Sequence, residues 1–147
     1  MIREATIEDV ENCVGPAQWF HGECRLPGVF DPVHFVGFWR TVLGKQMGAI
    51  YIREVSGKIV EAIGVVIHPD VFTGDSSAQV AFWFVEEASR CRMAVAKLFF
   101  KMLRSVKELG AKHLYVCSLV SFKYPQMRAL LERFGFKARQ VTFTKDL

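Results

Sequence analysis

Hydrophobic positions along this chain recur with two different periods, and the changes between them mark its elements. Residues 2–6 are a short strand candidate. Thr6 then reads as an N-cap with Asp9 at the third helical position, a variant of the capping box. The helix it opens is predicted to run to about Phe20 or Glu23, where Leu26-Pro27-Gly28 breaks it. Asp31-Pro32 is a second start signal, a capping carboxylate followed by proline, for a helix to about Leu43 that stops at Gly44. Residues 49–55 and 58–68 are strands rich in Ile and Val, joined by a tight turn at Ser56-Gly57. Residues 69–77 form a loop. Residues 78–85 (AQVAFWFV) are apolar on both faces and belong in the middle of a sheet.

The clearest helix covers 92–109. Val95, Leu98, Phe99, Met102, Val106 and Leu109 follow i, i+3, i+4, i+7 spacing, and Gly110 ends it. Residues 112–120 are another buried strand, 125–134 a helix ended by Gly135, and 136–144 (FKARQVTFT) a last alternating strand. The predicted order is β-α-α-β-β-β-α-β-α-β. It describes one α/β domain over residues 1–147 with a mixed, mostly antiparallel sheet. The 147 residues suffice for one core, and 51% hydrophobic with 23% charged residues indicates a globular chain. No apolar run approaches the roughly 20 residues of a membrane span, and Met1-Ile2-Arg3-Glu4 lacks a signal-peptide pattern. Cys13, Cys24, Cys91 and Cys117 are widely spaced without CxxC, which fits reduced thiols in the cytoplasm rather than a metal or disulfide framework.

Charge divides the chain in two. Residues 1–89 carry 6 Lys/Arg against 12 Asp/Glu, whereas residues 90–147 carry 13 against 3. The basic half favours an anionic partner, either a phosphorylated cofactor or a nucleic acid, or it is a solvated surface. Lys97, Lys101 and Arg104 share one helix face and suit the same partners. The chemistry-bearing junction is the buried strand followed by Glu86-Glu87-Ala88-Ser89-Arg90-Cys91-Arg92 and the long helix. A strand feeding a helix N-terminus presents unpaired N–H groups and the positive dipole end, an anion site that Arg90 and Arg92 flank. Trp19, Phe20, Phe30, Phe35, Phe38 and Trp39 make the first two helices aromatic. They supply core, with any excess lining an acceptor pocket or a homodimer interface.

With these elements in place, the chain resembles the GNAT acetyltransferase superfamily over essentially its full length. Its pyrophosphate motif R/Q-x-x-G-x-G/A falls on VEEASRCRMAVAKLFF, and LLERFGF (130–136) looks like the family's LYEKLGF element. Phe20-His21-Gly22-Glu23-Cys24 with the later Phe30-Asp31-Pro32 resembles a subgroup often encoded in phage genomes. The resemblance implies acetyl-CoA as cofactor, held by Phe84, Val85, Arg90, Cys91, Arg92, Met93, Ala94 and Val95, and an amine acceptor. It departs from the family at Met93 and Val95, where glycines are usual, and at Leu131, where a tyrosine general acid is often found. Tyr124 is the alternative proton donor, or simply the first residue of its helix. At the acceptor end, His21 and Glu23 are candidates for the base and its orienting partner. Equally, His21 can close a helix C-terminus and Glu23 be solvated. Glu86, Glu87 and His68 are further base candidates. The implied activity is transfer of acetyl from acetyl-CoA to an amine by direct attack. Two other roles fit the sequence: a binding or regulatory module on the same fold, and a DNA-modifying or DNA-binding protein.

Overall fold

The computed structural model of the chain describes residues 1–118 and 124–147, with the side chains of all of these except Arg92 and Tyr124. The sheet has five strands in the order β1 (Ile2–Glu4), β2 (Gly48–Val55), β3 (Lys58–Pro69), β4 (Ser76–Val85) and β5 (His113–Val116). Neighbours are antiparallel except β4 and β5, which run parallel. The β2–β3 turn places Ser56 and Gly57 at φ 51° and 76°, the two left-handed positions that match a two-residue hairpin to strand twist.

Two irregularities shape β4. Gly64 pairs with Phe82 but Val65 pairs with Val80, so Ala81 is an extra residue and β4 bulges there. Pairing with β5 covers only Ser77 to Val80, so beyond the bulge β4 diverges from its parallel neighbour. Residues 81–85 therefore keep one edge without a strand partner among the described residues.

Each face of the sheet has its own core. On one, α3 (Arg92–Glu108) buries Leu98, Phe99, Met102 and Val106 over Tyr51, Ile63, Val65 and Val80, joined by Leu131 of α4 (Tyr124–Arg133). Each of these apolar side chains contributes about 1.5–3 kcal/mol by leaving water. On the other face, α1 (Val14–Glu23) and α2 (Pro32–Gly44) cover Ile50, Ile52, Ala62 and Phe82 with Trp39 and Val42. Asp31 caps α2 by accepting from the His34 amide at 3.0 Å, as its sequence indicates.

Three expectations change. The first helix is a 3-10 turn over Glu8–Cys13 before α1 begins. Pro16 lacks an amide hydrogen and its ring would crowd the Asn12 carbonyl, so an α-helix cannot run through from Thr6. Asp9 still reaches back to accept from the Thr6 amide at 2.7 Å. The strand expected over 112–120 is only four residues, His113–Val116, and its last two expected positions lie outside the described residues. The strand expected over 136–144 does not form, and Val141 and Phe143 are exposed. Its alternation carries Phe136 and Ala138 but then Gln140 and Thr142 on one side, too short an apolar stripe to bury.

Candidate functional site

The junction between β4 and α3 is built as its sequence requires. Glu86 extends the pairing by donating its amide to the Val60 carbonyl at 2.8 Å, and a 3-10 turn at Glu87–Ser89 follows. Cys91 is the N-cap of α3 with extended backbone, φ −88° and ψ 122°. The Val95 amide is the one tied back to the Cys91 carbonyl, at 3.0 Å. The amides of Arg92, Met93 and Ala94 precede it and have no helical acceptor.

A resident group reports the electrostatics of this end. The amides of Ala94 and Met93 hold the exposed Cys91 thiol below its ordinary range, with help from the charges of Arg53 and Lys97. The α3 start thus stabilises negative charge at the position of Cys91, Met93 and Ala94, which is what a phosphate group requires. By contrast, burial pushes the Cys13 thiol up to about 12 and the Cys24 thiol up to about 11.

Of the two flanking arginines, Arg90 has a described side chain. The Arg90 guanidinium lies 6.0 Å from the Trp19 ring centre, and its Nε donates to the Val85 carbonyl at 3.4 Å. It thereby lies between the turn and α1. The Arg92 side chain is outside the described residues, as is that of Tyr124. Met93 is exposed and Val95 half-buried, so neither side chain is needed by the core.

An open cleft of about 630 Å³ adjoins the junction on the α1 face. Trp19 and Phe84, in edge-to-face contact at 5.4 Å, form its apolar wall, and Glu54, Glu86 and Glu87 face it. Glu86 is ion-paired to Lys58 and accepts from the Ser89 hydroxyl at 3.2 Å. These contacts, the Lys58 pairing foremost, hold its carboxyl below the usual range. His21 ends α1 with Nε2 3.3 Å from the Pro27 carbonyl and its ring 5.9 Å from Phe30. Glu23 is exposed, and no hydrogen bond joins it to His21 among the described residues. His68 lies 3.3 Å from the Pro69 carbonyl, at the opposite end of β3 from Lys58.

Sequence reasoning passed over a polar network beneath the junction. Glu61 accepts from Arg53 Nε at 2.9 Å and from Trp83 Nε1 at 3.2 Å, and Arg53 Nη2 donates to the Ser89 carbonyl at 2.9 Å. The available signal was Glu61 itself, a lone carboxylate inside the apolar run Ile59-Val60-Glu61-Ala62-Ile63.

A bulged β4 diverges from a parallel β5 and feeds the start of α3. This is the fold of the GNAT acetyltransferases. A predicted acetyltransferase from Clostridium acetobutylicum, solved with acetyl-CoA, superposes with a TM-score of 0.81 at 12% identity, covering 99% of this chain and 95% of that one. The ribosomal-protein-alanine N-acetyltransferase of Brucella melitensis biovar Abortus 2308 gives 0.73 at 14% identity, covering 100% and 98%. An aminoglycoside acetyltransferase from an uncultured soil metagenomic sample gives 0.77 at 15% identity, covering 100% and 97%. No family model matches the sequence, and no curated protein matches it. No helix among the described residues is long and apolar enough to cross a membrane.

Proposed function

We propose that this protein is an acyl-CoA-dependent N-acyltransferase that moves an acetyl group from acetyl-CoA to an amine. The observation that carries the reading is the β4–α3 junction. Its amides already favour negative charge at Cys91, where the cofactor pyrophosphate would sit, and the open edge of β4 beside it offers backbone groups to an extended chain of amides. The residues present therefore suit acyl-CoA, which when bound supplies an activated acyl group on a thiol leaving group. Phe84, Val85, Arg90, Cys91, Arg92, Met93, Ala94 and Val95 would hold it, as the family resemblance implies.

The acceptor enters from the cleft walled by Trp19 and Phe84. Glu54, Glu86 and Glu87 attract a cationic amine there, and the aromatic pair can cover its carbon skeleton. The amine must lose a proton before it attacks. His21 or Glu23 takes that proton, directly or through water, with Glu87 of the cleft lining the alternative. The acceptor nitrogen then bonds to the acyl carbon as the carbon–sulfur bond breaks, and the thiolate leaves with a proton from Tyr124 or solvent.

One observation favours a second reading, a GNAT-like module that binds acyl-CoA without turning it over. Leu131, where the family often has its proton donor, is buried in the core and cannot serve. Incubation with acetyl-CoA and a panel of amines, including peptide N-termini and aminoglycosides, separates the two. Acceptor-dependent release of free thiol supports the enzyme. Tight CoA binding with no thiol release across the panel supports the module instead.

A further inference from the structure

Glu61 is fully buried, the only carboxylate among the described residues to be so. A buried ion pair rarely stabilises more than apolar replacements of similar size, so its presence here calls for a task. Both of its oxygens are committed, to Arg53 Nε and to Trp83 Nε1. The indole is itself fixed by stacking on Phe99 of α3, centres 4.9 Å apart. Arg53 is consequently held in one orientation, its side chain only 11% exposed. Its Nη2 secures the Ser89 carbonyl, two residues before the α3 cap. No partner occupies its Nη1 among the described residues, and its charge acts on the Cys91 thiol. The Arg90 guanidinium, on the other side of the turn's sequence, lies 6.0 Å from the Trp19 ring centre.

We propose that Arg53, oriented by Glu61, is a phosphate-binding residue of the β4–α3 turn. It presents Nη1 to the anion while Nη2 fixes the turn whose amides complete the site. This rests on the cofactor reading above and adds to it a cation contributed by β2, across the sheet. The guanidinium fork allows it, because one edge serves Glu61 while another nitrogen stays available to a second anion. It also offsets the absence of glycines at Met93 and Val95, which limits how closely the backbone itself approaches phosphate.

Calorimetric titration with CoA and, separately, with inorganic pyrophosphate tests the assignment. The variants are Arg53→Lys and the paired change Arg53→Met with Glu61→Gln, which leaves no buried charge and keeps an acceptor for Trp83. Loss of a charge-assisted contact should weaken both ligands about tenfold or more in the paired variant, and less in Arg53→Lys. A folded paired variant that binds both within twofold of wild type overturns the proposal. Should that variant fail to fold, Arg53→Lys decides, wild-type affinity being the overturning result. Wild type that binds pyrophosphate but not CoA, with the variants impaired, supports Arg53 and refutes the cofactor reading. Wild type that binds CoA with the variants unimpaired refutes Arg53 alone. Wild type that binds neither refutes both.

Discussion

Gly64 faces the ring of Phe82 at the step where β4 bulges, and no larger residue fits there. A Cβ on Gly64 would lie 2.7 Å from Cδ1 and 2.9 Å from Cζ of Phe82, and closer still to Cε1. The ring cannot step aside easily. It is 5% exposed and packed edge-on against Trp39 at 5.5 Å, with Phe35 at 5.9 Å. Gly64→Ala must therefore displace the ring or part β3 from β4. Overpacking of this kind costs about 1–3 kcal/mol, and the aromatic neighbours place this site near the top of that range. In a chain of this size each kcal/mol lowers Tm by about 2–4 °C, so a fall of roughly 5–10 °C is expected. Thermal unfolding of a double-mutant cycle with Phe82→Leu isolates the contact. In the Phe82→Leu background the alanine should cost less, with a coupling of about 0.5–3 kcal/mol. An unchanged Tm for Gly64→Ala, or an equal loss in both backgrounds, refutes the reasoning.

Other outcomes follow from the same structure. Asp9 accepts from Arg3 at 2.6 and 2.9 Å, contacts that hold its carboxyl well below the usual range. That stabilisation is present above the unfolded carboxylate pKa of about 3.9 and fades as pH falls toward the depressed native value. Urea midpoints should drop below about pH 4 in wild type, and Asp9→Asn should be weaker at pH 7 with a flatter acid limb. Met93→Gly with Val95→Gly should tighten CoA in calorimetry while lowering Tm, since glycine in a helix costs about 1 kcal/mol per site. With a true acceptor, His21→Ala or Glu23→Gln should lower turnover about 10²–10⁴-fold at unchanged CoA affinity if that residue is the base. Wild-type rates in both would remove the pair and turn attention to Glu87.

Where local chemistry decides a feature, the sequence was enough to see it. Asp31-Pro32 caps α2 because a short carboxylate before proline has few other uses, and Ser56-Gly57 closes the hairpin that Ile-rich and Val-rich strands require. The periodic face of α3 is the same face that packs on β2 and β3. Features set by distant partners were not legible. Two local signals were also passed over: Pro16 breaks a pattern that looks continuous by cap and period, and residues 136–144 alternate without an apolar face long enough to hold a strand. The Ala81 bulge exists only in the pairing of β3 with β4. At the site, the turn and its anion preference could be read from a strand meeting a helix. Arg53, Glu61 and Trp83 could not be connected, because three strands bring them together. The approach of Arg90 to Trp19 of α1 was equally hidden, since it joins positions far apart in the chain.

The central claim is that the start of α3 holds the pyrophosphate of acyl-CoA. A crystal structure of the protein with acetyl-CoA tests it most directly. The expected result is pyrophosphate oxygens within hydrogen-bond reach of the amides of residues 92–94, with the pantetheine arm along the open edge of β4. Cofactor seated elsewhere, or no cofactor in crystals grown at millimolar acetyl-CoA with the junction open to solvent, would contradict it.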